Sequence, residues 1–226
     1  LLERDFDVVA YDHRGTGSSP RVRAEFSIAD LADDAVGVLD EVGFERAHVL
    51  GISMGGMIAQ ELALAHPERL RSLTIGCSYC GGEGSQLMDP EDFKGLVEAM
   101  ASGDRGRVLR AMYELNLSPG FRAEEDHYGA FAEMAGALPS PRETIGFQVQ
   151  AIAVHNTQER LAGISLPTLV VHGTVDRVLG YPNGPLIASR IPGARLETLE
   201  DVGHMFWWEQ PERSAELVRE HALAPA

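Results

Sequence analysis

At 226 residues, with 44% hydrophobic and 23% charged residues, the chain is long enough to form one domain with a substantial buried core. Its formal net charge of −15 argues against nucleic acid or an anionic membrane surface as a partner. No uninterrupted apolar stretch approaches the length of a membrane span. The sequence therefore predicts a cytoplasmic globular protein that binds neither nucleic acid nor a membrane.

The first 76 residues alternate between strand and helix patterns. A loop rich in glycine and serine follows the first apolar run, and Gly43 ends the first helical pattern. Ser27 and Asp30 have the spacing of a capping box at the start of that helix. The predicted elements are a buried strand at Phe6–Tyr11, a helix from Ser27 to about Val42, a strand at Arg46–Ile52, a helix at Met54–Ala65 and a strand at Leu70–Ile75.

Residues 77–163 have a different character, because they contain helical windows broken by Gly, Pro and Ser but no strand pattern. Methionine and aromatic residues are concentrated there. We expect most of them to form the inner faces of these helices and a minority to line an apolar pocket. The predicted helical windows are Pro90–Ala101, Arg105–Leu115, Glu124–Ala137 and Arg142–His155.

Strand and helix patterns alternate again after residue 163. The predicted elements are a strand at Leu166–His172, a helix containing Pro185–Arg190, a strand at Ala194–Leu199 and a closing helix at Glu212–Ala222. Such alternation is typical of an α/β fold with a mainly parallel sheet flanked by helices. We therefore predict a core formed by residues 1–76 and 164–226, with residues 77–163 inserted as a helical cap.

The two cysteines, Cys77 and Cys80, are spaced C-x-x-C. A structural zinc site is not expected, since no second Cys/His pair lies at a suitable spacing. A redox pair and two reduced thiols both remain open, and the absence of a thioredoxin-like pattern favours reduced thiols. No metal and no cofactor are predicted.

A serine lies between two glycines where a predicted strand passes directly into a helix. The segment Gly51-Ile52-Ser53-Met54-Gly55 has the pattern of a nucleophile elbow, in which a sharp turn presents the serine hydroxyl above the sheet. A turn this tight leaves little room for Cβ atoms, so glycines are expected beside the serine. A strand-to-helix turn that contains serine by chance is the simpler alternative.

Asp176 and His204 each follow the end of a predicted strand, as Ser53 does. Reacting groups in open α/β sheets gather at the carboxyl ends of the strands. The chain order Ser, Asp, His is that of a hydrolase triad, in which the histidine activates the serine and the aspartate orients the histidine. As alternatives, Asp176 is a loop cap and His204 a surface residue among eight histidines.

Four segments together resemble one family. They are Tyr11–Ser19, Gly51–Gly56, Val171–Val178 and Gly203–Pro211. The chain resembles α/β-hydrolase-fold serine hydrolases, and is similar to the branch that contains enol-lactonases, carboxylesterases and cofactor-free haloperoxidases. Serine at the elbow disfavours the related branches that place aspartate there, the haloalkane dehalogenases and epoxide hydrolases.

The resemblance implies roles for individual residues. Ser53 is expected to be the nucleophile, Asp176 the orienting acid and His204 the base, beneath a helical cap. The backbone N–H of Met54 is expected to be one donor of the oxyanion hole. No cofactor is implied.

One part of the family pattern is missing before Phe6–Tyr11. The family has about three more strands there, and a loop that supplies the second oxyanion donor. The missing third strand would lie between Phe6–Tyr11 and Arg46–Ile52. We therefore expect that the chain lacks amino-terminal strands of the family and corresponds to a fragment of a longer gene product. We also expect this chain, when made alone, to be poorly folded and nearly inactive.

The expected function is hydrolysis of a carboxylic ester or lactone of a small, largely apolar substrate through an acyl-enzyme. Two alternatives remain: a C–C bond hydrolase using the same triad, and a non-catalytic or inert α/β-hydrolase-like fragment. The expected partner is the small-molecule substrate, and a homo-oligomer stays open. The cap is expected to govern which substrate is preferred.

Overall fold

The computed structural model describes residues 1–124, 127–137 and 140–224. Its sheet contains four parallel strands in the order β1-β2-β3-β4, with helices packed around it. The parallel α/β architecture predicted from the alternating patterns is therefore confirmed. The strands are β1 (Ala47–Ile52), β2 (Leu70–Gly76), β3 (Thr168–Gly173) and β4 (Arg195–Leu199).

Ten α-helices lie in the described residues, and most follow the predicted windows closely. The helices over Met54–Ala65 and Pro90–Ala101 begin and end at the predicted residues. The helices are α1 (Ile28–Glu41), α2 (Met54–Ala65), α3 (Pro90–Ala101), α4 (Arg105–Asn116), α5 (Pro119–Glu124), α6 (Tyr128–Ala137), α7 (Arg142–Val154), α8 (Asn183–Arg190), α9 (Phe206–Glu209) and α10 (Pro211–Ala222).

Local sequence accounts for the bounds of α1. Ser27 and Asp30 form the predicted capping box, with each side chain accepting from the other residue's backbone N–H. Gly43 follows the helix with φ +75°, a left-handed conformation that glycine adopts at little cost. The helix buries a stripe of apolar side chains with helical spacing against the core, namely Ile28, Leu31, Ala32 and Ala35.

The inner strands β2 and β3 form the centre of the core. All six residues of β3 are buried, and Leu73 and Ile75 of β2 are 0% exposed. A strand with a neighbour on each edge and helices on both faces has a nearly continuous apolar sequence, because both of its faces are buried. By contrast, β1 is an edge strand whose Leu50 is 42% exposed.

The prediction of a buried strand at Phe6–Tyr11 is wrong. The segment has no regular secondary structure, and Val8, Val9 and Tyr11 are exposed. A strand forms only where a neighbour satisfies its backbone N–H and C=O groups, and no strand of the described residues pairs with this segment. Phe6 packs edge-to-face against His48 of β1, with ring centroids 6.0 Å apart.

Helices α3 to α7 lie between β2 and β3, and the described residues of that segment contain no strand. The predicted window Glu124–Ala137 is divided, since α5 ends at Glu124 and residues 125 and 126 lie outside the described residues. The assignment of residues 77–163 to a separate cap stays a prediction. None of the described helices is long and apolar enough to cross a membrane.

The apolar side chains of this helical segment are less buried than expected. Tyr113 and Phe131 form a buried cluster with Leu117 and Met205. Several others are exposed, four methionine and phenylalanine side chains among them, because short helices resting on the core bury only part of their surface; α3, for example, buries only Ala99. These four side chains are Phe93, Met100, Met112 and Met134.

Candidate active site

Ser53 occupies a strained turn between β1 and α2. Its φ of 57° and ψ of −124° lie in a region that side-chain-bearing residues rarely adopt. A Cβ on Gly51 would lie 2.1 Å from the Gly55 carbonyl oxygen, and one on Gly56 would lie 2.5 Å from the Ser78 side chain. A Cβ on Gly55 would meet nothing. Close packing therefore requires glycine at 51 and 56 of this turn, but not at 55.

Backbone and side-chain hydrogen bonds hold the turn in place. The Ser53 N–H donates to the Gly76 carbonyl at 2.9 Å, and the Ser78 hydroxyl donates to the Ser53 carbonyl at 2.8 Å. Ser53 itself is half-buried. Met54 is the first residue of α2, so its N–H has no acceptor within the helix and is free to face a bound group.

Asp176 and His204 lie together where the loops after β3 and β4 meet. The Asp176 Oδ2 atom is 2.7 Å from His204 Nδ1, and both residues are buried. A carboxylate only accepts, so Nδ1 donates a proton to it, and Nε2 is the ring nitrogen left to accept a proton from a nucleophile. The Ser53 hydroxyl and the His204 ring are not hydrogen-bonded to each other in the structure. Such contacts are often long before a substrate binds.

The Asp176 carboxylate is enclosed by donors. Its Oδ1 atom accepts from the backbone N–H groups of Val178, at 2.8 Å, and Leu179, at 2.9 Å. Burial by itself raises the pKa of Asp176, but His204 and His172 outweigh burial and hold that pKa well below its usual range. The carboxylate is therefore ionised and able to stabilise a positive charge on His204.

Cys77, which directly follows β2, was not predicted to belong to this site. Its Sγ atom, an Asp176 oxygen and a His204 nitrogen lie within 4.8 Å of one another, the one such group of potential metal ligands in the described residues. Burial and the neighbouring Asp176 raise the pKa of Cys77 well above its usual value, so it is a neutral thiol. Since Asp176 and His204 are already paired, this set favours hydrogen bonding over metal binding. Cys80 is also buried and unpaired.

Glu209 connects the helical segment to the loop that carries His204, and it too was not predicted. One carboxylate oxygen accepts from the backbone N–H groups of Ser118, at 2.8 Å, and Gly203, at 2.9 Å. The other accepts from the Ser118 hydroxyl. The available signal was a single carboxylate directly after the aromatic run Phe206–Trp208, close to His204.

Comparison with known proteins agrees with the fold. A family model described as the alpha/beta hydrolase fold matches residues 1–211. An Azorhizobium caulinodans protein provisionally named carbamate hydrolase RutD is 35% identical over 204 residues, which cover 88% of this chain and 74% of that protein. A 2-hydroxymuconate semialdehyde hydrolase of Pseudomonas putida is 33% identical over 235 residues, covering 97% of this chain and 77% of that protein.

A solved structure extends the comparison to three dimensions. An N-acyl homoserine lactone degrading enzyme is 33% identical and superposes with a TM-score of 0.73, covering 92% of this chain and 80% of that one. The parallel sheet, the serine turn after β1 and the match over residues 1–211 agree with one another. The chain therefore belongs to the α/β-hydrolase fold family and is a hydrolase.

Proposed function

We propose that the protein hydrolyses a carboxylic ester or lactone of a small, largely apolar substrate through an acyl-enzyme. Ser53 is the nucleophile, His204 the general base and Asp176 the orienting acid. The observation that carries this proposal is the buried Asp176–His204 pair, 2.7 Å apart, at the same sheet edge as the strained Ser53. Strands β1, β3 and β4 all run in one direction, so their carboxyl ends meet at that edge.

In the proposed reaction, His204 Nε2 takes the proton from Ser53 Oγ as that oxygen attacks the substrate carbonyl carbon. The negative oxygen of the tetrahedral intermediate accepts a hydrogen bond from the Met54 N–H. The C–O bond to the alcohol then breaks, and the His204 imidazolium protonates the departing oxygen. A water molecule attacks the acyl-enzyme by the same route, which releases the acid and restores Ser53.

The ester or lactone class is supported by chemistry and by likeness. A serine activated by histidine suits an acyl group bearing an alkoxide-type leaving group. A similar solved structure is an N-acyl homoserine lactone degrading enzyme. A second candidate is C–C bond hydrolysis with the same three residues, and the likeness to a 2-hydroxymuconate semialdehyde hydrolase is the reason to test it.

A fluorophosphonate probe and a substrate panel test the proposal. We expect the probe to label Ser53 alone, as mapped by mass spectrometry, and Ser53→Ala to lower turnover by about four to six orders of magnitude. Ser189→Ala is the matched control, since it removes a serine hydroxyl of α8, outside the serine turn, and should keep the label. The panel contains a p-nitrophenyl ester, a lactone and a cleavable diketone.

Labelling that persists in Ser53→Ala would refute Ser53 as the nucleophile. Faster turnover of the diketone than of both the ester and the lactone would favour the second candidate. No turnover and no labelling of any substrate or probe would favour a non-catalytic role.

A further inference from the structure

A completely buried histidine of β3 has no part in the proposed reaction. His172 is the fifth residue of β3 and is 0% exposed. Burying an imidazole costs free energy unless its polar atoms are hydrogen-bonded, so a buried histidine among the apolar residues of a central strand needs an explanation. Its neighbours in space supply one, because His172 lies beside the acid of the proposed triad.

The hydrogen bonds of His172 fix which nitrogen carries the proton. Its Nε2 atom lies 2.8 Å from the carbonyl oxygen of Leu179 and 3.3 Å from Asp176 Oδ2. Both oxygens only accept, so Nε2 carries a proton that is shared between them. Leu179 in turn donates its N–H to Asp176 Oδ1. The three residues therefore form a closed ring of contacts around the carboxylate.

The imidazole is held in this orientation by its surroundings. A Cβ on Gly184 of α8 would lie 2.7 Å from the His172 Cβ and 3.0 Å from its Nδ1, so α8 rests directly on the ring. Tyr181 packs edge-to-face on it, with centroids 6.1 Å apart, and is itself hydrogen-bonded to Thr198. Nδ1 is buried and has no partner in the described part of the chain. The ring is thus oriented so that Nε2 has its contacts, whereas Nδ1 is left without a hydrogen-bond partner among the described residues.

We propose that His172 is a positioning residue, which fixes the Asp176 carboxylate so that Oδ2 faces the N–H of His204. This inference rests on the proposed function for its kinetic consequences. Oδ2 accepts from His204, and the His172 Nε2–H lies 3.3 Å from the same oxygen, so it acts together with the two N–H groups on Oδ1 against rotation of the carboxylate about its Cβ–Cγ bond. The other titratable groups around the carboxylate are Cys77, which lies within 4.8 Å of the pair, and Tyr181 against His172.

Two substitutions at one position test the role. His172→Phe keeps a ring but removes the donor, whereas His172→Gln offers an amide N–H near the position of Nε2. We expect kcat for a p-nitrophenyl ester to fall about tenfold to a hundredfold in His172→Phe, with KM within about twofold, because an N–H beside the charged carboxylate is lost without loss of a substrate contact. His172→Gln should recover most of that loss.

A spectroscopic readout separates positioning from mere stability. The proton shared by His204 Nδ1 and Asp176 should give a downfield resonance that shifts or broadens in His172→Phe and returns in His172→Gln. Its presence does not depend on turnover, so it tests the contact even if Ser53→Ala were to leave activity intact and the proposed function failed. His155→Gln removes a buried imidazole away from the site and should leave both kcat and the resonance unchanged.

The outcomes are decisive in either direction. Equal kcat values in His172→Phe and His172→Gln, or a downfield resonance that is the same in wild type and both variants, would overturn the proposal. If His172→Phe does not unfold cooperatively, Gly184→Ala replaces it, since a methyl group there displaces the imidazole without removing it. A loss of kcat and a shifted resonance in Gly184→Ala would support positioning, and wild-type values of both would overturn it.

Discussion

The inner strands of the sheet and its edge strand β1 differ in how completely they are enclosed. β2 and β3 each have a strand on both edges, and Leu73 at the centre of β2 is 0% exposed. β1 has one neighbour, its Leu50 is 42% exposed, and the equally apolar Phe6–Tyr11 beyond it forms no strand. Enclosure on both edges, more than apolar content, therefore decides which segments build the core.

The residues of the proposed site also differ in how completely they are buried. Asp176 follows the inner strand β3 and His204 follows the edge strand β4, and both residues are buried, which keeps the hydrogen bond between them away from water. Ser53 follows the edge strand β1 and is only half-buried, so a substrate can reach its hydroxyl. A charge-stabilising pair gains from desolvation, whereas a nucleophile must remain accessible.

The largest expected effect falls on the buried part of the site. Asp176→Asn should lower kcat about ten-thousandfold on an ester substrate, because the amide favours the wrong His204 tautomer. Asp201→Asn is the matched control: Asp201 is exposed in the loop before His204 and has φ +58°, which asparagine tolerates well. Steady-state kinetics of both variants check this, and losses of similar size would contradict the assignment of Asp176.

The same substitution, leucine to alanine, made in the inner strand β2 and in the edge strand β1 compares directly how far the two strands are enclosed. Leu73→Ala should lower the free energy of unfolding by about 2–5 kcal/mol, because it leaves a cavity in the core. Leu50→Ala should cost about 1 kcal/mol or less, since much of that side chain already contacts water. Urea denaturation compares the two, and equal losses would show that β1 is enclosed in solution.

A third comparison uses acid. Burial lowers the pKa of His155 to about 4, so the unfolded chain binds a proton below about pH 6.5 that the folded chain does not. The free energy of unfolding therefore includes a contribution from neutral His155 that is fully present above about pH 6.5. This contribution is lost as the pH falls towards 4, and the total loss is about 3 kcal/mol. His155→Gln should remove that slope from urea midpoints measured across this range. His48→Gln, on the exposed face of β1, should change this pH dependence less than His155→Gln does. A larger change in His48→Gln than in His155→Gln would contradict the prediction.

The smallest expected effects separate two adjacent glycines of the serine turn. Gly56→Ala should destabilise the protein by about 1–3 kcal/mol, because a methyl group there overlaps Ser78. Gly55→Ala should stabilise α2 by about 0.5–1 kcal/mol, since its Cβ meets nothing and alanine favours a helix. Thermal unfolding distinguishes them, and a loss in both would mean that the turn is tighter than the structure shows.

Local patterns were sufficient for most of the fold. The helix over Met54–Ala65 and the capping box of Ser27 and Asp30 depend on residues a few positions apart, so the sequence predicts them well. Phe6–Tyr11 could not be predicted correctly from its own residues, because strand formation depends on a partner distant in sequence. The exposure of Phe93 has the same origin, since only packing decides which helix faces are covered.

The candidate site shows the same division. Ser53, Asp176 and His204 were identified because each follows a strand and the three have a recognisable order. His172 and Glu209 were not identified, because their roles consist of contacts made in the folded chain. His172 packs against Asp176, and Glu209 joins the loops that carry Ser118 and Gly203. A residue that acts through another leaves no spacing pattern of its own.

The Glu209 carboxylate has a further mechanical consequence. It accepts hydrogen bonds from Ser118 and Gly203 at the same time. Gly203 is also closely packed, since a Cβ there would lie 2.9 Å from the Asn116 carbonyl oxygen. The Met205 N–H also donates to that carbonyl, so the residues on either side of His204 are tied to the end of α4. Displacing that helix end would therefore displace the residues on both sides of His204, the base of the proposed reaction.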